Sequence, residues 1–134
     1  MSKLLQRLRD ASRSGVYRVR RDQEVLDALQ GSVVAKISLK GAATKAEVLD
    51  RIEKQLMLPE WFGRNWDALA DCLKESGGVL LFYDYQGVAA DDFGVLLDVL
   101  RSSAEFSAGE GDPLFAIFVD PDARLPLPNL FRET

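Results

Sequence analysis

Residues 79–83 read VLLFY and residues 114–119 read LFAIFV, and neither run contains a charged side chain. A strand that is apolar at every position is buried on both faces, which is typical of a parallel sheet covered by helices. Residues 33–39, VVAKISL, alternate instead, so that their apolar side chains share one face. These three segments predict an α/β fold built on a small parallel sheet.

Helical patterns separate the three predicted strands. The predicted helices span residues 44–55, 66–75 and about 92–105. The first of them begins with a capping box, in which Thr44 and Glu47 satisfy each other's backbone N–H groups. The order strand, helix, helix, strand, helix, strand then requires right-handed crossovers between parallel strands.

The chain divides into three parts around this pattern. Residues 1–31 form an N-terminal extension with a short helix, a strand at GVYRV and a second helix capped by Asp22. Residues 32–120 form the main domain, in which residues 107–113 are a turn-rich loop. Residues 121–134 are a proline-rich C-terminal tail without a regular pattern. We expect the three parts to make one compact domain.

Composition limits the class of protein. The chain has 134 residues, 47% of them hydrophobic, which is enough for a core without disulfides or metals. Cys72 is the only cysteine, so no disulfide forms within the chain and a reducing compartment is expected. No run of 18 apolar residues and no signal segment occur, so we predict a cytoplasmic protein without membrane contact. No metal-ligand cluster or phosphate-binding loop is present, so no cofactor is predicted.

Charge is distributed unevenly along the chain. Residues 1–21 hold seven Lys/Arg and one Asp, whereas residues 22–134 hold ten Lys/Arg and twenty Asp/Glu. The acidic body repels nucleic acids and favours cationic partners. The basic arm is interpreted as a solvated terminus, as a segment docked on the body or as a nucleic-acid contact, in that order. On the first interpretation, removal of residues 1–21 leaves function intact.

The stretch LPEWFGRNWDALADCLKE, residues 58–75, combines aromatic and acidic side chains. Asn65 is a good N-cap for a helix that begins at the next residue. The helical period then predicts a core face with Trp66, Leu69, Cys72 and Leu73. The opposite face holds Asp67, Ala70, Asp71 and Lys74. The two aspartates lie at i and i+4, where like charges cost a helix about 0.2–0.5 kcal/mol. Such a local conflict suggests a use outside the fold.

The loop before this helix supplies the aromatic part of the surface. Phe62 is interpreted as a core side chain, and Gly63 as a residue suited to a turn with positive φ. Trp61, next to Glu60, is a candidate anchor for an interface. An aromatic loop beside two carboxylates on a rigid helix predicts a surface that binds a basic cleft.

Three other interpretations remain open. In the first, Asp67 only favours the positive end of the helix dipole and Asp71 is a solvated group paired with Lys74. In the second, Asp67 and Asp71 are a general acid/base pair, although they share an exposed helix turn and the chain has no histidine. In the third, the protein is a nucleic-acid or regulatory adaptor that binds through the basic arm. Cys72 falls on the core face, which predicts an inert thiol rather than a nucleophile.

Residues 56–73, LMLPEWFGRNWDALADCL, resemble the signature LALPE(Y/W)(Y/F)G-x-N-x-DAL-x-DCL of the barstar family of ribonuclease inhibitors. A weaker similarity extends over about residues 33–119, where it is based on the order of helices and strands. The resemblance implies a barstar-like α/β fold. It also implies an intracellular inhibitor or immunity protein that blocks the active site of a basic microbial ribonuclease or ribonuclease toxin. We expect a monomer that is not an enzyme.

The resemblance also implies which residues contact the partner. With Glu60 and Ala70 added from the same surface, the predicted partner-binding residues are Glu60, Trp61, Gly63, Asn65, Asp67, Ala70 and Asp71. By the resemblance, Asp71 occupies a phosphate site of the ribonuclease. One member of the family has tryptophan at the position of Ala70, which the signature leaves open, and, by an approximate alignment, an acidic contact at the position of Ser102. We therefore expect barnase to be bound poorly and the cognate ribonuclease well.

Overall fold

The computed structural model describes residues 3–29, 35–58, 62–63, 65–76 and 78–130. Its helices and strands are, in chain order, α1 Lys3–Leu8, β1 Gly15–Val19, α2 Gln23–Leu29, β2 Ala35–Ser38, α3 Lys45–Leu56, α4 Trp66–Ser76, β3 Gly78–Tyr83, α5 Ala90–Glu110 and β4 Leu114–Val119. Short 3₁₀ helices lie at Ala11–Arg13 and Tyr85–Gly87. None of the helices described in these ranges is long and apolar enough to cross a membrane.

The four strands form one parallel sheet in the order β1-β4-β3-β2. The predicted parallel sheet is therefore confirmed, and the predicted capping box opens α3, where Thr44 accepts from the Glu47 N–H. The predicted strand at 33–39 is shorter, since β2 covers Ala35–Ser38, and its first two predicted positions lie outside the described residues. The sheet also has a fourth strand, β1, which the sequence analysis assigned to the extension.

Helices cover both faces of the sheet, as the unbroken apolar runs predicted. Leu114, Ala116 and Phe118 of β4 point to one face of the sheet, on which α3, α4 and α5 pack. We call it the front face. The back face is the one onto which Phe115 and Ile117 point, where α1 and α2 pack. Because side chains alternate along a strand, a strand between two packed layers has no polar position.

The basic arm belongs to the sheet, so its interpretation as a solvated terminus is wrong for the described residues. β1 pairs with β4 from Gly15↔Phe115 to Val19↔Val119, and the side chains of Leu8, Val16 and Val19 are buried. The second interpretation, a docked segment, matches this arrangement. Backbone hydrogen bonds between β1 and β4 and the burial of apolar side chains hold this segment on the domain.

The C-terminal tail wraps around the free edge of β1. The Arg18 N–H donates to the Pro128 carbonyl at 3.0 Å, and the Leu130 N–H donates to the Arg18 carbonyl at 3.1 Å. The Arg18 Nε also donates to the Leu127 carbonyl at 2.9 Å. Leu127 packs on the front face and Leu130 on the back face. The tail is therefore partly regular, which the sequence analysis did not predict, and it covers an edge that would otherwise expose backbone groups.

A buried carboxylate fixes the start of this tail. Asp120 has no exposed surface, and its carboxylate accepts from the Tyr85 hydroxyl at 2.6 Å and the Leu125 N–H at 2.9 Å. Burial alone would raise the pKa of Asp120, but these hydrogen bonds, another from the Arg124 N–H and the nearby Arg18 charge lower it below its ordinary value. Burial and the hydrogen bond to Asp120 raise the pKa of Tyr85.

Helix α5 is longer than the sequence predicted. It continues to Glu110, through residues assigned to a turn-rich loop, because Ala104 and Ser107 are buried against the core. The helix ends at Gly111, which has φ 80° and donates its N–H to the Ala108 carbonyl. A left-handed residue at this position is a common way to end a helix, and glycine adopts it without a steric penalty.

Candidate functional site

The site predicted from sequence is centred on the beginning of α4. The Asn65 Oδ1 accepts a hydrogen bond from the Ala68 N–H at 2.7 Å, three residues further on. This bond satisfies one of the N–H groups that a helix leaves free at its first turn, so the predicted N-cap is confirmed. The cap fixes the point at which the loop ends, and thus the rotation of α4 relative to the sheet.

The loop approaches α4 closely at Gly63. A Cβ atom at this position would lie 3.0 Å from the Asn65 Nδ2, which itself donates to the Gly63 carbonyl at 3.4 Å. The φ angle of Gly63 is not in the left-handed region, so the predicted reason for glycine was wrong. The constraint is space beside the cap. Phe62 is buried in the front-face core, as predicted, and holds the loop against the domain.

One face of α4 packs on the front face of the sheet. Leu69, Cys72 and Leu73 are buried, as predicted, and Trp66 is half-buried against the same core. Burial raises the pKa of the Cys72 thiol, and the Glu75 and Asp71 carboxylates raise it further. A thiolate is therefore disfavoured, which agrees with the prediction of an inert cysteine.

The opposite face of α4 presents the two carboxylates. Asp67 and Asp71 are exposed, as predicted, and Ala70 between them is half-buried. Within the part of the chain that the structure describes, neither carboxylate has a hydrogen-bond or ion-pair partner. Two unpaired negative charges on adjacent turns of a rigid helix can accept charge-assisted hydrogen bonds from a cationic partner.

Lys74 does not pair with Asp71, contrary to the first alternative interpretation. Its Nζ lies 5.0 Å from the centre of the Phe106 ring on α5. An exposed cation–π contact contributes about 0.5–1 kcal/mol, whereas an exposed ion pair within a helix contributes about 0.3–0.5 kcal/mol. The ring therefore competes successfully for the ammonium group, and among the described residues no cation pairs with Asp71.

Phe106 was missed by the sequence analysis, which ended the helix at Glu105. Phe106 as a whole residue is 47% exposed, and it is among the large hydrophobic residues that the described part of the chain leaves in solvent. The spacing of Val95, Val99, Ser102 and Phe106, at i, i+4, i+7 and i+11, places it on one stripe of α5 and was the available signal. Ser102 is exposed on the same stripe.

Two of the predicted partner-binding residues lie outside the described residues. They are Glu60 and Trp61, so their predicted role as the aromatic and acidic part of the loop stays a prediction. The other five, Gly63, Asn65, Asp67, Ala70 and Asp71, lie together in the loop end and the first two turns of α4. Among the described residues, no group of three potential ligands could hold a metal ion.

The comparison with protein families agrees with this geometry. Residues 32–119 match the family model described as Barstar (barnase inhibitor). A search of curated proteins found no match. The matched range includes β2, α3, α4, β3, α5 and β4, and leaves out α1, β1, α2 and the tail. With two thirds of its length in that range, this chain belongs to the barstar family.

Proposed function

We propose that this protein is an intracellular inhibitor, or immunity protein, of a basic ribonuclease related to barnase. The observation that carries the proposal is that Asp67 and Asp71 lie on the exposed face of α4, within the range that matches the family, and have no partner among the described residues. Both aspartates are held at fixed positions by a capped helix, so a partner meets them without a large cost of ordering.

The proposed mechanism is occupation of the catalytic cleft. A ribonuclease binds RNA phosphates with cationic side chains, and two carboxylates one helical turn apart can take the place of neighbouring phosphates. RNA is then excluded without any chemical step by the inhibitor. Opposite charges on the two proteins also accelerate association, so both the association rate and the affinity should fall as salt is added.

Inhibition of barnase by the purified chain is the direct test, with cleavage of a fluorogenic RNA as the readout. We expect inhibition that rises with inhibitor concentration and weakens at high salt. Since barnase is expected to be bound more weakly than the cognate enzyme, the same assay is run with other small basic ribonucleases, and a chain that inhibits none of them at micromolar concentration would contradict the proposal. If the chain instead bound RNA in a salt-dependent manner, the adaptor interpretation through the basic arm would be favoured.

A matched pair of variants connects inhibition to the two aspartates. In Asp67→Asn/Asp71→Asn the shape of the surface is kept and two charges are lost, so we expect affinity to fall by about 2–5 kcal/mol. The control, Glu24→Gln/Asp27→Asn, removes the same charge from α2 across the sheet. We expect the control to bind nearly as tightly as the parent. Equal losses in both variants would mean that net charge, and not this helix face, determines binding.

Selection between ribonucleases is assigned to Ala70. Its half-buried methyl group lies between the two aspartates in sequence, where barstar itself has tryptophan. A small residue leaves room for a bulky side chain of a cognate enzyme. We expect Ala70→Trp to strengthen binding of barnase and to weaken binding of the cognate ribonuclease, measured as paired inhibition constants at one salt concentration. A change in the same direction for both enzymes would remove this role.

A further inference from the structure

Among the described residues, Phe106 does not belong to either of the two hydrophobic core clusters. The buried residues of α5 are Leu96, Leu97, Leu100, Ser103, Ala104 and Ser107, and Phe93 and Val99 pack against the same core. Phe106 is adjacent to this set, but the residue is nearly half exposed. Its ring contacts the Lys74 ammonium of α4. Single exposed apolar side chains are common, so this contact, and not the exposure alone, is the feature that indicates a role.

Other helices of the same chain show what Lys74 would otherwise do. In α3, Lys54 pairs with Asp50 at i,i+4 with an N–O distance of 3.1 Å. In α5, Arg101 pairs with Asp98 at i,i+3 with a distance of 3.6 Å. Lys74 follows Asp71 at the same i,i+3 spacing, yet among the described residues no ion pair joins them. The feature that distinguishes α4 is the ring on the neighbouring helix.

We propose that Phe106 is a positioning residue, which holds Lys74 away from Asp71 and so keeps that carboxylate open to a cationic partner. The inference rests on the proposed ribonuclease inhibition and extends it to a residue on a different helix. An Asp71 paired with Lys74 would first have to release its internal partner. An Asp71 whose lysine is held over the ring presents its full charge at once, which favours both association rate and affinity.

The contact itself can be tested without a ribonuclease. The ε-methylene protons of Lys74 lie near the face of an aromatic ring, so their NMR signals should be displaced upfield by its ring current. Phe106→Leu keeps an apolar side chain and removes the ring, and we expect the displacement to vanish. A Lys74 spectrum that is unchanged by Phe106→Leu would overturn the proposal at its first step.

A double-mutant cycle tests the consequence for binding, with barnase at low salt as the probe. In the parent background, Phe106→Leu frees Lys74 to pair with Asp71, so affinity should fall about twofold, the value of one exposed helix pair. In the Lys74→Gln background no cation remains to be released, so Phe106→Leu should change nothing. The conservative variant Phe106→Tyr keeps the ring and should bind like the parent.

The outcomes separate this proposal from the one it rests on. A parent that binds neither barnase nor any other small basic ribonuclease would overturn the proposed function and this inference with it. If the parent binds but Phe106→Leu weakens binding equally in both backgrounds, Phe106 contacts the enzyme directly and only the positioning role is overturned. If Phe106→Leu leaves the affinity unchanged in the parent background, the positioning role is overturned as well.

Discussion

The two faces of the sheet are both buried, but the helices that cover them come from different parts of the chain. The front face is covered by α3, α4 and α5, which lie within residues 32–119, the range that matches the barstar family. The back face is covered by α1, α2 and the end of the tail, all outside that range. The candidate site belongs to the front layer. The contrast indicates that the additional segments complete the core of this protein and are not an appended arm.

Removal of residues 1–21 is expected to have the largest effect. The deletion takes away α1 and β1 and uncovers Phe115 and Ile117 on the back face. Burial of each large apolar side chain contributes about 1.5–3 kcal/mol, so loss of Leu8, Val16 and Val19 should lower the free energy of unfolding by at least about 4 kcal/mol. Urea denaturation measures this change. Because a destabilised domain should also inhibit less, we expect the deletion to reduce inhibition, whereas the sequence alone predicted that inhibition stays intact.

The matched control for this deletion changes charge alone. Arg20→Gln/Arg21→Gln removes two exposed cations of the arm and leaves β1 in place. We expect its free energy of unfolding to remain within about 0.5 kcal/mol of the parent value. If the deletion variant unfolded at the same urea concentration as this control, β1 would not be part of the cooperative unit. The conclusion that the additional segments complete the core would then be wrong.

Single core substitutions should affect the two faces alike. Leu69 on α4 faces the front layer and Ile117 on β4 faces the back layer, and neither side chain has exposed surface. We expect Leu69→Ala and Ile117→Ala each to lower the free energy of unfolding by about 2–5 kcal/mol, because each leaves a cavity. Denaturant midpoints at an unchanged slope give the values.

The relative size of the two effects is informative. An effect of Ile117→Ala below about 1 kcal/mol, beside a full effect of Leu69→Ala, would mean that the back layer packs loosely. Since the two residues lie on opposite faces and share no partner, the double variant should lose close to the sum of the single losses. A large departure from additivity would mean that the sheet transmits strain between its faces.

These results also explain which parts of the fold the sequence could predict. The runs at 79–83 and 114–119 predicted burial on both faces because every position in them is apolar. The Asn65 cap and the exposure of Asp71 follow from local spacing along one helix. Such features depend on residues that are close in sequence, and the structure confirms them.

Features that depend on distant partners were missed. GVYRV was identified as a strand, but Arg18 interrupts its apolar pattern and nothing local indicates that it pairs with β4, about a hundred residues away. The end of α5 was placed too early because Gly109 and Gly111 suggest a turn, whereas burial of Ser107 continues the helix. The contact between Lys74 and Phe106 joins two helices and cannot be derived from the period of either.

Acid should weaken the junction between the family-matched range and the tail. The pKa of Asp120 lies below the ordinary value of 3.8, so the charged carboxylate stabilises the fold above that pH, and the contribution is lost as pH falls through the folded-state value. Asp120→Asn replaces charged hydrogen bonds to Tyr85 and Leu125. We expect it to lower the free energy of unfolding by about 1.5–3 kcal/mol at neutral pH.

The pH dependence distinguishes this role from simple packing. As pH falls, the Asp120 carboxylate of the parent becomes protonated. The parent then loses a stabilising contribution that the Asp120→Asn variant lacks at every pH. The difference in unfolding free energy between parent and Asp120→Asn should therefore be largest near pH 7 and shrink below about pH 4. Thermal or urea unfolding at several pH values provides the measurement. A difference that stays constant between pH 7 and pH 3 would mean that shape, and not charge, fixes the tail.

The smallest expected effect concerns two residues with left-handed backbone, one inside and one outside the family-matched range. Met57 ends α3 with φ 54° and Ala123 lies in the tail with φ 53°. Side chains with a Cβ adopt this region at a cost that glycine avoids, although glycine loses more entropy on folding. We expect Met57→Gly and Ala123→Gly each to raise the free energy of unfolding by about 0.5–1 kcal/mol, measured from urea midpoints.

The two glycine variants differ in the surroundings of the substituted residue. Comparing them tests whether the part of the chain inside the family-matched range and the part outside it are packed equally tightly. Met57 is 88% exposed and precedes the loop of the candidate site, so its side chain contributes little packing that could be lost. Ala123 is half-buried beside the Asp120 turn, where its N–H donates to the Asp120 carbonyl at 3.1 Å. The gain for Ala123→Gly should therefore be the smaller one, and its affinity for a ribonuclease should equal that of the parent. A loss of stability in Ala123→Gly would mean that the tail depends on that methyl group, and that the layer outside the family range is packed as tightly as the one that carries the site.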